Sequence, residues 1–89
     1  MAIIRFTSQL QRFTRTPEIS TAAVTLRDAL EACFGDNPAL RGYILDDQGH
    51  LRTHVAVFID GRMSHDRIRL NDPLQASSEV YVMQALSGG

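Results

Sequence analysis

The sequence predicts an α+β domain, a mixed sheet of four to five strands with one main helix packed on one face. Three observations carry that reading. The chain has 89 residues, and a single domain of this size buries only about 60 to 65% of the surface its unfolded chain exposes, so its core must be compact. Apolar residues alternate near both ends of the chain and again in its middle, as strands require. One main stretch with helical period, Leu26 to Cys33, lies between the first strands and the rest.

Ala2 to Thr7 puts Ala2, Ile4 and Phe6 on one face and Ile3, Arg5 and Thr7 on the other, the pattern of a half-buried first strand. Ser8 to Thr14 reads as a hairpin connection that tucks Leu10 and Phe13 under the sheet. Thr16 to Ala22 carries β-branched Thr16, Ile19 and Thr21, and Pro17, which has no amide to donate, places this second strand at an edge. Thr25 has the short hydroxyl of a helix N-cap, and Asp28 sets negative charge near the positive helix end. Leu26, Ala29, Leu30 and Cys33 then form one apolar stripe, and Gly35 is expected to stop the helix.

Asp36-Asn37-Pro38 turns the chain, Ala39 to Gly42 is a short helical turn, and Tyr43 to Leu45 is expected to be a strand. Asp46-Asp47-Gln48-Gly49 is turn chemistry. From Leu51 to Ile59, Val55, Val57 and Ile59 share one face, and His54, Ala56 and Phe58 the other. Asp60-Gly61 signals a tight hairpin, with a return strand at Ile68 and Leu70. Asn71-Asp72-Pro73-Leu74 is a further turn that buries Leu74, and the last strand begins at Glu79. With a hairpin on each side of the helix, the first and last strands can lie side by side and parallel. That order is the β-grasp, or ubiquitin-like, fold.

Composition excludes several functions. Hydrophobic content of 44% and a formal net charge of −1 describe a soluble globular chain without the basic footprint of a nucleic-acid binder. No apolar run approaches the ~20 residues that span a bilayer, and Met1 to Arg5 lacks a signal-peptide layout, so no membrane partner and a cytoplasmic location are expected. One cysteine, Cys33, and three scattered histidines leave neither an internal disulfide nor a metal-ligand pattern. Cys33 sits on the helix stripe as a small core residue. All nine basic residues are arginine, so no side chain of this protein can accept an isopeptide bond.

The chain is organised around its ending, where the β-prone run from Glu79 to Leu86 passes into Ser87-Gly88-Gly89. Residues 1–86 are expected to form the domain and residues 87–89 a flexible tail with a free terminal carboxylate. From Ala85 an extended tail reaches roughly 15 Å, far enough to enter another protein's active site. Glycines suit that role, since without side chains they thread a narrow channel and admit close backbone approach. Other constellations are weaker. His54 and the pair His65-Asp66 lack a nucleophile at a strained turn, Asp46-Asp47 and Asp60-Gly61 serve turns, and Arg62, Arg67 and Arg69 make a solvated basic edge more readily than a docking patch.

The helix start Val24-Thr25-Leu26-Arg27-Asp28-Ala29-Leu30, the segment His54-Val55-Ala56-Val57-Phe58-Ile59-Asp60-Gly61, and Glu79-Val80-Tyr81-Val82 leading to Ser87-Gly88-Gly89 resemble the ubiquitin-like sulfur carriers of the ThiS and MoaD family. The resemblance covers nearly the whole chain. The middle, Leu40-Arg41-Gly42 and Asp46-Asp47-Gln48-Gly49-His50-Leu51-Arg52, is most similar to the CysO-like branch. The family's tails often carry a proline where this chain has Gln84, and Asp or Gly-Asp in place of Ser77-Ser78.

The resemblance implies a carrier and not an enzyme, with no bound cofactor. An E1-like adenylating enzyme of the MoeB/ThiF type would use ATP to activate the Gly89 carboxylate, and a sulfur donor would leave it as a thiocarboxylate. A recipient enzyme would then take the sulfur: a cysteine synthase, the molybdopterin synthase large subunit, or a thiazole synthase. The alternatives are a ubiquitin-like modifier joined through Gly89 to target amines, and a plain β-grasp binding module. Strand parity adds a docking site: if Val55, Val57, Ile59, Val80 and Val82 face the helix, then Ala56, Phe58, Tyr81 and Met83 form an outward apolar patch where a partner can grip.

Overall fold

Strand β1 (Ala2–Phe6) alternates buried and half-buried residues, and its neighbour β2 (Glu18–Thr21) runs antiparallel along the sheet edge. The computed structural model describes residues 1–7 and 18–84. The expected burial of Leu10 and Phe13, the Thr16-Pro17 start of the second strand and the Ser87-Gly88-Gly89 tail all lie outside the described residues.

Helix α1 (Leu26–Asp36) begins as its sequence requires, with the Thr25 hydroxyl accepting the Asp28 amide at 3.3 Å. Its stripe of Leu26, Ala29, Leu30 and Cys33 is fully buried. The expected stop at Gly35 is wrong. Gly35 lies inside the helix, and among the described residues the left-handed glycines are Gly49 and Gly61. The stop is Asn37, held out of the helical region at φ −137° and ψ 71° because Pro38 clashes with a helical predecessor. Its backbone amide donates to the Cys33 and Phe34 carbonyls at 3.1 and 3.2 Å, and its side-chain amide adds a second bond to the Cys33 carbonyl at 3.0 Å.

Pro38 then opens a second helix, α2 (Pro38–Ile44), where its missing amide does no harm. The strand expected at Tyr43 to Leu45 is therefore absent. Leu40 and Ile44, four apart, are both buried on the helix, and that spacing outweighs the β-prone look of Tyr43-Ile44-Leu45. Leu45 keeps only an isolated bridge to Leu51.

Strand β3 (Val55–Ile59) leads through Asp60 and Gly61, at φ of 51° and 84°, into the two-residue strand β4 (Arg62–Met63). Two consecutive left-handed residues make a tight hairpin, and such a turn fixes the register at once. The return strand is consequently Arg62–Met63 and not Ile68 with Leu70. Ile68 is exposed in a turn, and Leu70 is buried at φ 54°. Strand β5 (Glu79–Gln84) lies parallel to β1 and antiparallel to β3, which gives the order β2-β1-β5-β3-β4. This is the β-grasp fold, with a second short helix beside the main one. The core lies between the two helices and the inner face of the sheet, where Ile4, Phe6, Val57, Val80 and Val82 meet Leu26, Leu30, Leu40 and Ile44. Among the described residues no helix is long and apolar enough to cross a membrane.

Candidate functional site

Strand β5 is the element that matters, because it is central, hydrogen-bonded on both sides, and ends five residues before Gly89. Its parity is strict. Val80 and Val82 are buried toward the helices, while Tyr81 and Met83 are 43% and 36% exposed on the other side. The antiparallel register sets Phe58 opposite Tyr81 and Ala56 opposite Met83. Directly opposed side chains on one face are close neighbours, so the structure brings Ala56, Phe58, Tyr81 and Met83 together on the outer face. Phe58, Tyr81 and Met83 line an open groove of about 340 Å³ that Arg5 and Glu79 border.

The polar border is ordered. Arg5 on β1 bridges its two neighbours, donating to Glu18 of β2 at 3.0 Å and to Glu79 of β5. The Glu79 carboxylate, then that of Glu18, raises the pKa of the Arg5 guanidinium. At the groove's far end Asp60 accepts from the Glu79 amide at 2.9 Å and from the Ser78 hydroxyl at 3.0 Å, which pins the β3–β4 hairpin to the start of β5.

At the opposite end of β5, Gln84 is paired with Val55 in register. Its amide oxygen accepts a 2.8 Å hydrogen bond from the Tyr43 hydroxyl of α2, and His54 meets the Tyr43 ring edge-on with centroids 5.4 Å apart. The sequence alone does not point to this cluster, because Tyr43 reads there as part of a strand. The available signal was the parity of β5, which puts Gln84 on the same face as buried Val80 and Val82.

Two of the carboxylates set aside as catalytic or cation-binding, Asp66 and Asp46, are occupied with backbone. The Asp66 carboxylate accepts the amides of Arg69 and Asn71, each at 3.0 Å, and these bonds, that of Asn71 foremost, hold its pKa below the usual carboxylate value. Asp46 accepts the amides of Gln48 and His50 and is lowered likewise, chiefly by His50. No group of three potential metal ligands occurs among the described residues. The basic edge needs correcting. Arg67 is not simply solvated, since its guanidinium donates to the carbonyls of Val55, at 2.7 Å, and Arg52.

A ubiquitin-like domain whose central strand runs from an apolar outer face toward Ser87-Gly88-Gly89 has the form of a small carrier or modifier protein. A ThiS-family model matches residues 4–89. The chain belongs to the ThiS family, and so to a class of small carrier or modifier proteins, not enzymes. Small archaeal modifier protein 1 of Haloferax volcanii is 32% identical over 65 residues, covering 73% of this chain and 70% of the relative. The fold is similar to the solution structure of small archaeal modifier protein 1 from Methanosarcina acetivorans, with a TM-score of 0.84 at 21% identity over 99% of this chain and 95% of that one. It is equally similar to a chain in the BexX/CysO complex of Amycolatopsis orientalis, with a TM-score of 0.84 at 11% identity and complete coverage of both chains.

Proposed function

We propose that this protein is a sulfur carrier, activated at Gly89 by an E1-like enzyme of the MoeB/ThiF type in the cytoplasm. The observation that carries the reading is the family match running to residue 89, through Ser87-Gly88-Gly89, at the end of a central strand. A carboxylate is a poor electrophile. Attack of a Gly89 carboxylate oxygen on the α-phosphorus of ATP forms the acyl-adenylate and releases pyrophosphate. Sulfide-level sulfur from a donor then attacks the acyl carbon and AMP leaves, which gives the thiocarboxylate with no change of oxidation state. The domain's own residues supply grip and aim. The apolar groove beside Phe58, Tyr81 and Met83, with Ala56 next to it, is the docking surface for the activating enzyme, and the polar rim of Arg5 and Glu79 sets its orientation.

The recipient is a biosynthetic enzyme such as a cysteine synthase, a molybdopterin synthase large subunit or a thiazole synthase. The segment from Leu40 to Arg52 supports the CysO-like branch and with it the cysteine synthase. A second reading, conjugation of Gly89 to target amines, is favoured by the relative named a modifier protein. It shares the activation step, and the absence of lysine limits it to single additions without side-chain-linked chains. Intact-mass analysis of the protein purified from its native cells separates the two. Replacement of one oxygen by sulfur at a chain ending in Gly89 supports the carrier. Gly89 found only in isopeptide linkage to other proteins supports the modifier, and an unmodified chain extended past Gly89 in every fraction refutes both.

A further inference from the structure

The inward position at the end of β5 holds an amide where the pattern of Val80 and Val82 calls for an apolar residue. Gln84 is only half-buried there, and α2 brings the Tyr43 hydroxyl to its oxygen at 2.8 Å. The mount of that hydroxyl is braced from several sides. The Arg52 amide donates to the Ile44 carbonyl at 2.9 Å and the Arg52 guanidinium to the Gly42 carbonyl at 2.9 Å, so the segment before β3 is tied to the last turn of α2. Arg67 closes the same segment from the other side through the carbonyls of Arg52 and Val55, flanking the turn that carries His54. His54 in turn fixes the Tyr43 ring by an edge contact at an interplanar angle of 89°. A hydrogen bond held by so many fixed neighbours is preorganised, and preorganisation converts contacts into positional control.

We propose that Tyr43, backed by His54, is a positioning residue that latches Gln84 and so fixes the end of β5 from which the chain continues to Gly89. This rests on the carrier or modifier reading above, in which a partner must receive Gly89 at a fixed place relative to the docking groove. Tyr81 and Met83 face outward and engage the partner, whereas Gln84 faces inward and is held by the domain itself. Grip and aim are thereby divided between the two faces of one strand. Five residues separate Gln84 from Gly89, at most about 17 Å of chain, so the position held at Gln84 bounds where the terminal carboxylate can be presented. Latching fixes that starting point after docking, and the productive fraction of the docked complex rises accordingly.

The test compares wild type with Tyr43→Phe, which keeps the ring and its contact with His54 but removes the hydroxyl, and with His54→Ala. In 15N relaxation, Tyr43→Phe should lower the backbone order parameters of Gln84 and Ala85 by about 0.1 or more while Val80 and Val82 stay unchanged. In ATP–pyrophosphate exchange with an E1-like activating enzyme, kcat/KM should fall about three- to tenfold, the size expected for loss of one hydrogen bond. His54→Ala should give a smaller fall in the same direction. Forms lacking Ser87 to Gly89, used as competitive inhibitors, should bind equally well with and without Tyr43→Phe. Unchanged order parameters at Gln84 and Ala85 overturn the latch, as does an equal loss of binding by the truncated forms, which would mark a contribution to fold or docking alone. A wild type that supports no exchange sinks the carrier reading instead, and the order parameters then decide the latch by themselves.

Discussion

Met83→Asp and Tyr81→Ser test the outer groove, and the structure sets the size of the effect. Met83 keeps 36% of its surface exposed. Complete burial of a methionine side chain is worth about 1.5 to 3 kcal/mol, so a partner covering the remaining third gains about 0.5 to 1 kcal/mol. An aspartate there forfeits that gain and brings an unpaired carboxylate into an apolar contact, which adds at least as much again. Tyr81, 43% exposed, has more to lose: large aromatics bury about 150 to 250 Å², and two-fifths of that at about 25 cal/mol per Å² is about 1.5 to 2.5 kcal/mol. Either change should therefore weaken binding to the activating enzyme about tenfold, which corresponds to about 1.4 kcal/mol. Isothermal titration reads the affinity, with circular dichroism and sedimentation confirming a folded monomer. Phe58→Asp should act in the same direction, with some added loss of stability because Phe58 is half-buried in β3. Undiminished affinity in both Met83→Asp and Tyr81→Ser refutes the groove as the grip, and the edge bearing Arg62 and Arg69 becomes the next surface to probe.

Leu30→Ala empties a fully buried site on α1 and should destabilise the domain by about 2 to 5 kcal/mol, lowering Tm by roughly 10 °C or more; a melt within error of wild type would place the stripe against solvent. Deleting Gly89, or adding one residue after it, should abolish ATP–pyrophosphate exchange and leave the thermal melt unchanged, whereas full exchange by either variant ends the carrier assignment. The lowered pKa of Asp66 makes a signed prediction. A carboxylate whose folded pKa lies below its unfolded value of about 3.9 stabilises fully above that value and loses its contribution as pH falls through the folded pKa. The Tm gap between wild type and Asp66→Ala should thus be constant from pH 7 to 5 and shrink below about pH 4, and a gap independent of pH would show that the amide contacts do not depend on the charge.

What could be read from the sequence divides along a physical line. The strands β1, β3 and β5 and the stripe of α1 were legible because each buries one face against the same core, and burial of one face imposes a period that survives in the residues. The outward set of Ala56, Phe58, Tyr81 and Met83 followed from the same parity without further information. Gly35, Tyr43 and Ile68 were misread where local preference competes with contacts distant in sequence. Gly35 tolerates a helix because the residue that ends it is set by Pro38, and Tyr43 stays helical because Leu40 and Ile44 are both drawn into the core.

The arginines show the limit most sharply. Read as composition, nine arginines and no lysine say only that side-chain amines are missing. In the fold, Arg27 donates to the carbonyls of Gly49 at 2.8 Å, Ile68 at 2.9 Å and Arg69 at 3.2 Å, while Arg52 and Arg67 hold those of Gly42, Arg52 and Val55. The carbonyls of Gly49, Arg52, Ile68 and Arg69 lie in irregular segments outside the helices and strands, while Gly42 belongs to the last turn of α2 and Val55 opens β3. A guanidinium can serve two or three acceptors at once from a rigid planar fork, which a lysine ammonium on a flexible stem does less well. The preference for arginine is therefore put to structural use in the part of the chain where periodicity gives no guidance. It also braces the segment carrying Tyr43 and His54, so the least legible region of the sequence is the one that holds the end of β5 in place.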